Sequence, residues 1–417
     1  IPVDKVLKSV DGIQSAENAY EIGRTGNPLE RVRDIIGAMR GHREAQIAAT
    51  VDEESLRGTL NEIADTALTE PVNPTWELKD SNLIVHSGKP GVKFDTDAVE
   101  QALTDQIRLM DFEPYEVSTD VTAAPAIDVD KIAADIIGDP VNATVSKKDG
   151  KTIIAGKAGV SFDTDKAKEI IGDGSQETYT IPVTITQPSI TAETLKAKLF
   201  HDTLARTATN LDEGNAPRTN NIRLAAKAIN GTILNPGAEF SYNGTVGERT
   251  AARGYQEAHA YSGGKIIDEF GGGVCQPSST LYMAVLRADL KVTERHNHSF
   301  TVSYTPLGED ATVDYGNLDF RFVNNTAYPV KILAEQTDGQ MIMTIVGTKT
   351  SDKTVTTRRE VLETYKPETV TKTDSSMEAG DSRVETSGIT GYSTKTYKQI
   401  TENGKTTEVL ANSSTYS

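Results

Sequence analysis

The chain has 417 residues, 37% hydrophobic and only 6% aromatic, with a formal net charge of −17 at pH 7. That length exceeds one ordinary core, and the acidic balance excludes nucleic acid and anionic lipid as electrostatic partners. No apolar run reaches the ~20 residues of a membrane span, and one cysteine rules out an internal disulfide framework.

Residues 1–50 end in a helical pattern and the strand-like run 46–51, the back half of a degenerate repeat unit. Two fuller copies follow. GKPGVKFDTD at 88–97 returns as GKAGVSFDTD at 156–165, an offset of 68, and PVN at 71–73 returns at 140–142. Identity, spacing and flanks agree, which marks a duplication. Each copy is expected to run helix, strand, turn, strand, helix, strand. The helices fall near 52–67 and 128–137, then 96–108 and 164–171, with turns at 79–82 and 148–150. Asp95 and Asp97, with their copies Asp163 and Asp165, stand just before helices and read as N-caps rather than as an acid pair. Trp76 and His86 read as packing and surface residues. The boundaries expected are a partial unit over 1–50 and repeats over 51–126 and 127–193. These units are scaffold or binding modules, and with the Cys-poor composition they favour export.

From 194 the texture changes. Ile222, Ala225, Ala226 and Ile229 share one helix face, which stops at Asn230-Gly231. Short strands follow at 233–234 and 239–243, and the chain passes Gly263-Gly264 on its way to Gly271-Gly272-Gly273-Val274-Cys275. Leu281, Val285 and Ala288 then repeat as a buried helix face, with Pro277 suited to the first helical position. Residues 294–304 turn from polar to alternating, which predicts a strand. A turn and strand over 306–315 follow, then strands at 319–323, 328–334 and 341–347 with a hairpin at Thr337-Asp338-Gly339. An α+β domain with a mostly antiparallel sheet is expected over 194–350. Over 351–417 the chain alternates Thr, Ser, Glu and Lys around Asn403-Gly404, which predicts a small all-β module. The alternative there is a disordered polar tail. The fold class is α+β multidomain.

The chemistry concentrates at Cys275. A sulfur where a helix begins feels the positive end of its dipole, which favours the nucleophilic thiolate. Gly272 and Gly273, with Gln276, form the loop whose amides are candidates to hold an oxyanion. The competing reading is a small buried hydrophobe. A thiol nucleophile needs a base. Of six histidines, His259, His296 and His298 lie near the cysteine in sequence. His298 is the best placed, and His296 would share its strand face. Arg295 is a candidate to hold a substrate carboxylate, and Asp310 or Asp314 to orient the imidazole. Ser278, Ser279 and Tyr282 complete the substrate candidates. Cys275 with His296 and His298 is also a weak zinc pattern; neither metal nor cofactor is expected.

NNIRLAAKAINGTILNPGAEFSYN, VGERTAARGYQEA, GGGVCQPSSTLYMAVL and ERHNHSFTVSYTPLGEDATVDYG closely resemble the VanW family of bacterial cell-envelope proteins over roughly 203–335. Pro277 and Met283 stand where that pattern leads one to expect Val and Asn. The preceding repeats resemble the peptidoglycan-binding units that often accompany this domain, and the tail resembles the G-five adhesion module. The family takes its name from a vancomycin-resistance gene cluster. The resemblance implies a cysteine L,D-transpeptidase joining peptidoglycan stem peptides, with Cys275 as nucleophile and His298 as base. It further implies peptidoglycan stem peptides and glycan as partners. The place implied is the cell wall of a Gram-positive bacterium, held by an N-terminal membrane helix outside this chain. A non-catalytic peptidoglycan-binding or scaffolding protein is the alternative.

Overall fold

The computed structural model describes residues 1–262, 265–378, 380–385 and 387–417, so Gly263-Gly264 lies outside the described residues. The chain divides into two compact units, Ile1–Asp139 with Gly159–Thr186, and Pro140–Ala158 with Gln187–Ser417. Every strand pair among the described residues is antiparallel, which accords with the α+β class.

In the first unit, helices Glu53–Ala67, Thr96–Arg108, Val129–Ile136 and Thr164–Ile171 form at the expected places. Asp95 accepts from the amides of Asp97 and Ala98, and Asp163 from those of Asp165 and Lys166. These carboxylates satisfy helix-start donors. Strands Thr75–Lys79 and Asn82–His86 turn at Asp80-Ser81, whose φ values of 49° and 62° suit a type I′ hairpin. The third strand of that sheet, Thr178–Pro182, belongs to the second sequence copy. The equivalent hairpin of that copy, Thr144–Val145 with Ile153–Ile154, lies in the second unit, where Ala143 and Val145 pack with Ile190, Leu195 and Tyr328. The physical units are therefore offset from the sequence repeats, because a two-stranded hairpin cannot bury a face by itself.

The second unit centres on a four-stranded sheet in the order Asp202–Asn210, Gln340–Gly347, Val330–Thr337, Ile233–Leu234. Helices Ala216–Ile229 and Cys275–Arg287 pack against it, burying Ile222, Ile229, Leu281 and Val285 in one core with Met343 and Ile345. A smaller sheet of Glu239–Ser241, Arg321–Val323 and Lys291–Glu294 adds Phe240 and Phe322, ring centroids 5.0 Å apart. The C-terminal sheet, Thr354–Tyr365, Gly391–Glu402 and Lys405–Tyr416, is ordered rather than a polar tail, and Asn403-Gly404 makes its hairpin turn. It has little core of its own, but its last strand buries Tyr416 to 1% exposure.

Two local expectations are corrected. The cysteine helix begins at Cys275, so Pro277 is its third residue, still within the first turn where its missing N–H costs nothing. Residues 299–304 form no strand; from Arg295 to Asp319 the chain is a loop with isolated bridges at His296–Thr312 and Asp314–Leu318. That loop is pinned individually: Asn297 donates to the Thr415 carbonyl, and the Ser417 amide to that of Ser299. These bonds replace a strand ladder. No helix among the described residues is long and apolar enough to cross a membrane.

Candidate active site

The cysteine helix is held from both ends of its first turn. Tyr242, fully buried, donates its hydroxyl to the Val274 carbonyl at 2.7 Å. Gln276 donates to Thr209 Oγ1 and the Asn210 carbonyl and accepts from Arg218 at 2.7 Å. Asn221, on the neighbouring helix, donates to the carbonyls of Gln256 and Gly272. A Cβ on Gly271 would meet the Arg249 stem at 2.6 Å, and one on Gly273 the Arg218 stem at 2.6 Å. A Cβ on Gly272 would run into the Ala258 carbonyl. Each glycine thus lets another chain segment close over the loop.

Cys275 is half-buried, at the first helical position, and lines an open cleft with Arg218, Arg249, Gly273, His298 and Tyr304. Its sulfur lies 3.5 Å from the Val313 amide and 3.4 Å from Thr312 Oγ1, and the His298 imidazole stands beside it in the cleft, close enough to lower its pKa. The other ring nitrogen of His298, Nδ1, is 2.7 Å from Asp310 Oδ2, which also accepts from the His298 amide at 2.7 Å. Asp310 Oδ1 accepts from Arg295 at 2.9 Å and from the Tyr416 hydroxyl at 2.6 Å. Tyr304 Oη stands 3.4 Å from His298 Nε2.

The electrostatics follow from that chain of contacts. Burial pushes the Cys275 thiol up, but the His298 hydrogen bond and charge outweigh it and hold the thiol below its ordinary value. Burial pushes His298 down, yet Asp310 and the sulfur raise it to about 9. Asp310, pushed up by burial, is pulled down to about 2 by His298 and Arg295. Both shifts move the pair toward thiolate and imidazolium.

The structure brings Cys275, His298 and Asp310 together and separates the other candidates from the sulfur. Arg295 is spent on Asp310 and Ser414, so it holds the carboxylate that holds His298 and has no nitrogen free for substrate. His296 pairs with Glu294 at 3.2 Å and faces a different cavity. Zinc ligation by Cys275, His296 and His298 therefore has no geometric basis, and no metal-capable cluster occurs among the described residues. Asp314 is exposed and bonds Asn317. His259 pairs with Asp268 at 2.6 Å on the cleft wall. Ser278, Ser279 and Tyr282 are buried on the core side of the helix. The Gly272 amide donates to the Glu269 carbonyl at 3.1 Å, which removes it as an oxyanion donor, and the Gln276 amide donates to the Gly273 carbonyl. The amides of Gly273 and Cys275 meet no carbonyl among the described residues. Sequence reading missed Tyr304, Thr312, Arg249 and Tyr416. Tyr304 had a signal, being six residues from His298 within one motif; Tyr416, 106 residues from Asp310, had none.

Three family models match along the chain. A family described as "VanW like protein" matches residues 217–346, one described as "Putative peptidoglycan binding domain" matches 2–116, and the G5 domain matches 354–416. Uncharacterized protein YoaR of Bacillus subtilis (strain 168) is 35% identical over 212 residues, covering 50% of this chain and 69% of that protein. Vancomycin B-type resistance protein VanW of Enterococcus faecalis (strain ATCC 700802 / V583) is 29% identical over 134 residues, covering 31% of this chain and 49% of that protein. No solved structure matches the chain significantly.

Proposed function

The chain belongs to the VanW family, and on that footing we propose that it works in the cell wall as a cysteine acyltransferase, an L,D-transpeptidase of peptidoglycan stem peptides. One observation carries the reading: a sulfur beside an imidazole whose far nitrogen is fixed by a buried carboxylate, in an open cleft. The Cys275 thiolate attacks the carbonyl between the third residue and the terminal D-Ala of a donor tetrapeptide. The Gly273 and Cys275 amides face the oxyanion. His298 Nε2–H protonates the departing D-Ala amine as the C–N bond breaks, leaving a thioester. A side-chain amine of a second stem then gives a proton to His298 and attacks the thioester, forming the new amide and releasing the thiolate. Asp310 keeps the imidazole in the tautomer and orientation both transfers need.

A second reading has its own support: a non-catalytic wall-binding or scaffolding protein. The comparisons by themselves lean that way, since they supply a peptidoglycan-binding match and no named activity. Purified protein, Cys275→Ala and His298→Ala are each incubated with tetrapeptide muropeptides and the products resolved by mass spectrometry. Cross-linked dimers from the wild type alone are expected. Their absence, with all three proteins sedimenting with insoluble peptidoglycan, would leave the binding reading.

A further inference from the structure

Arg249 stands on the wall of the Cys275 cleft, and its side chain is unaccounted for. Its stem lies across Gly271, and its guanidinium carbon sits 5.6 Å from the Tyr242 ring centre and 5.8 Å from that of Tyr315. Nε, Nη1 and Nη2 are all shielded from solvent, and none has a hydrogen-bond partner. Glu248, Glu269 and Asp314 line the same cleft, yet none forms an ion pair with it. Arg218, the other cleft arginine, is by contrast satisfied by Gln276.

A guanidinium out of water with none of its donors used is among the costliest arrangements a protein can hold. The aromatic faces offset part of that through cation–π attraction but supply no acceptor. Its planar fork matches a carboxylate bidentately, which a lone lysine would not. Tyr242 ties the two halves of the cleft together, since the ring beside Arg249 also bonds the carbonyl preceding Cys275.

We infer that Arg249 docks the carboxylate at the end of the donor peptide, so that the cleft selects peptides with a free C-terminal carboxylate one residue beyond the attacked carbonyl. This rests on the acyl-transfer reading for the identity of the peptide but not for its test. Arg295, the carboxylate holder expected from sequence, is closed off, and Arg249 takes that role.

The test is a binding measurement in the full-length Cys275→Ala background, where no turnover occurs. Calorimetric titration compares a synthetic stem tetrapeptide ending in D-Ala with the same peptide as its C-terminal amide. The acid should bind about tenfold or more tighter than the amide, and adding Arg249→Gln should abolish that preference by weakening the acid alone. Arg249→Lys should retain a smaller preference. Because the guanidinium has no hydrogen-bond or ion-pair partner to lose, and its buried charge costs more than the two aromatic faces return, Arg249→Gln should keep or raise Tm, whereas a structural arginine would lower it. Equal affinities for acid and amide before the arginine is changed would overturn the inference. A preference that survives Arg249→Gln would also do so, as would equal weakening of both peptides, which points to a carboxylate elsewhere on the stem. A carboxylate preference lost with Arg249 in a protein that forms no cross-links would retain the docking site and reject transpeptidation.

Discussion

Tyr416→Phe removes one oxygen atom from the second unit and separates the support of Asp310 from the packing of the C-terminal strand. The ring stays where it is, 1% exposed. Two hydrogen bonds disappear: the 2.6 Å bond donated to Asp310 Oδ1 and the 2.7 Å bond accepted from the Gly308 amide. A bond to a charged group contributes about 1.5–3 kcal/mol, and a buried amide left without an acceptor costs about 1–3 kcal/mol. Asp310 keeps Arg295 and both His298 donors, so the sum should sit near the low end, about 3 kcal/mol. With a urea dependence of about 3 kcal/mol/M for a unit of this size, the midpoint should fall by about 1 M. Near-UV circular dichroism of the tyrosines reads that transition. Trp76, the sole tryptophan, lies in the first unit and reports that unit by fluorescence. A tyrosine midpoint within ~0.2 M of wild type would refute the reasoning, since the hydroxyl would then contribute almost nothing to a buried carboxylate.

Because Cys275 is the only thiol, alkylation by iodoacetamide reads it alone; His298→Gln leaves only the Thr312 and Val313 hydrogen bonds to oppose burial, raises the thiol pKa and should slow labelling at pH 7 about tenfold or more. Equal rates would mean that the imidazole does not ionise the sulfur. Asp310, at about 2 when folded against an ordinary 3.8, contributes about 2 kcal/mol that is present above pH 4 and lost as pH falls through 2. Urea midpoints at pH 5 and pH 2.5 should therefore differ more for wild type than for Asp310→Asn, and parallel profiles would contradict this. Gly272→Ala forces a methyl into the Ala258 carbonyl and should cost about 2 kcal/mol or more of second-unit stability, read by the same tyrosine signal.

Much of the architecture follows from short-range rules that a sequence carries openly. Asp95 and Asp163 cap helices because their oxygens reach amides two and three residues on, and Asn403-Gly404 turns because both residues tolerate positive φ. The seat of Cys275 at a helix start is likewise local, and His298 could be chosen by its company in one motif. What the tertiary structure decided is which charges meet. Asp310 and Asp314 looked interchangeable in sequence; folding buried Asp310 with Arg295 and left Asp314 in solvent. The alternation over 299–304 promised a strand, but bonds to Thr415 and Ser417, more than a hundred residues away, hold it as a loop. Neither the Tyr416 prop nor the idle guanidinium of Arg249 has a sequence signal, because burial and partner choice depend on distances between segments that no local pattern encodes.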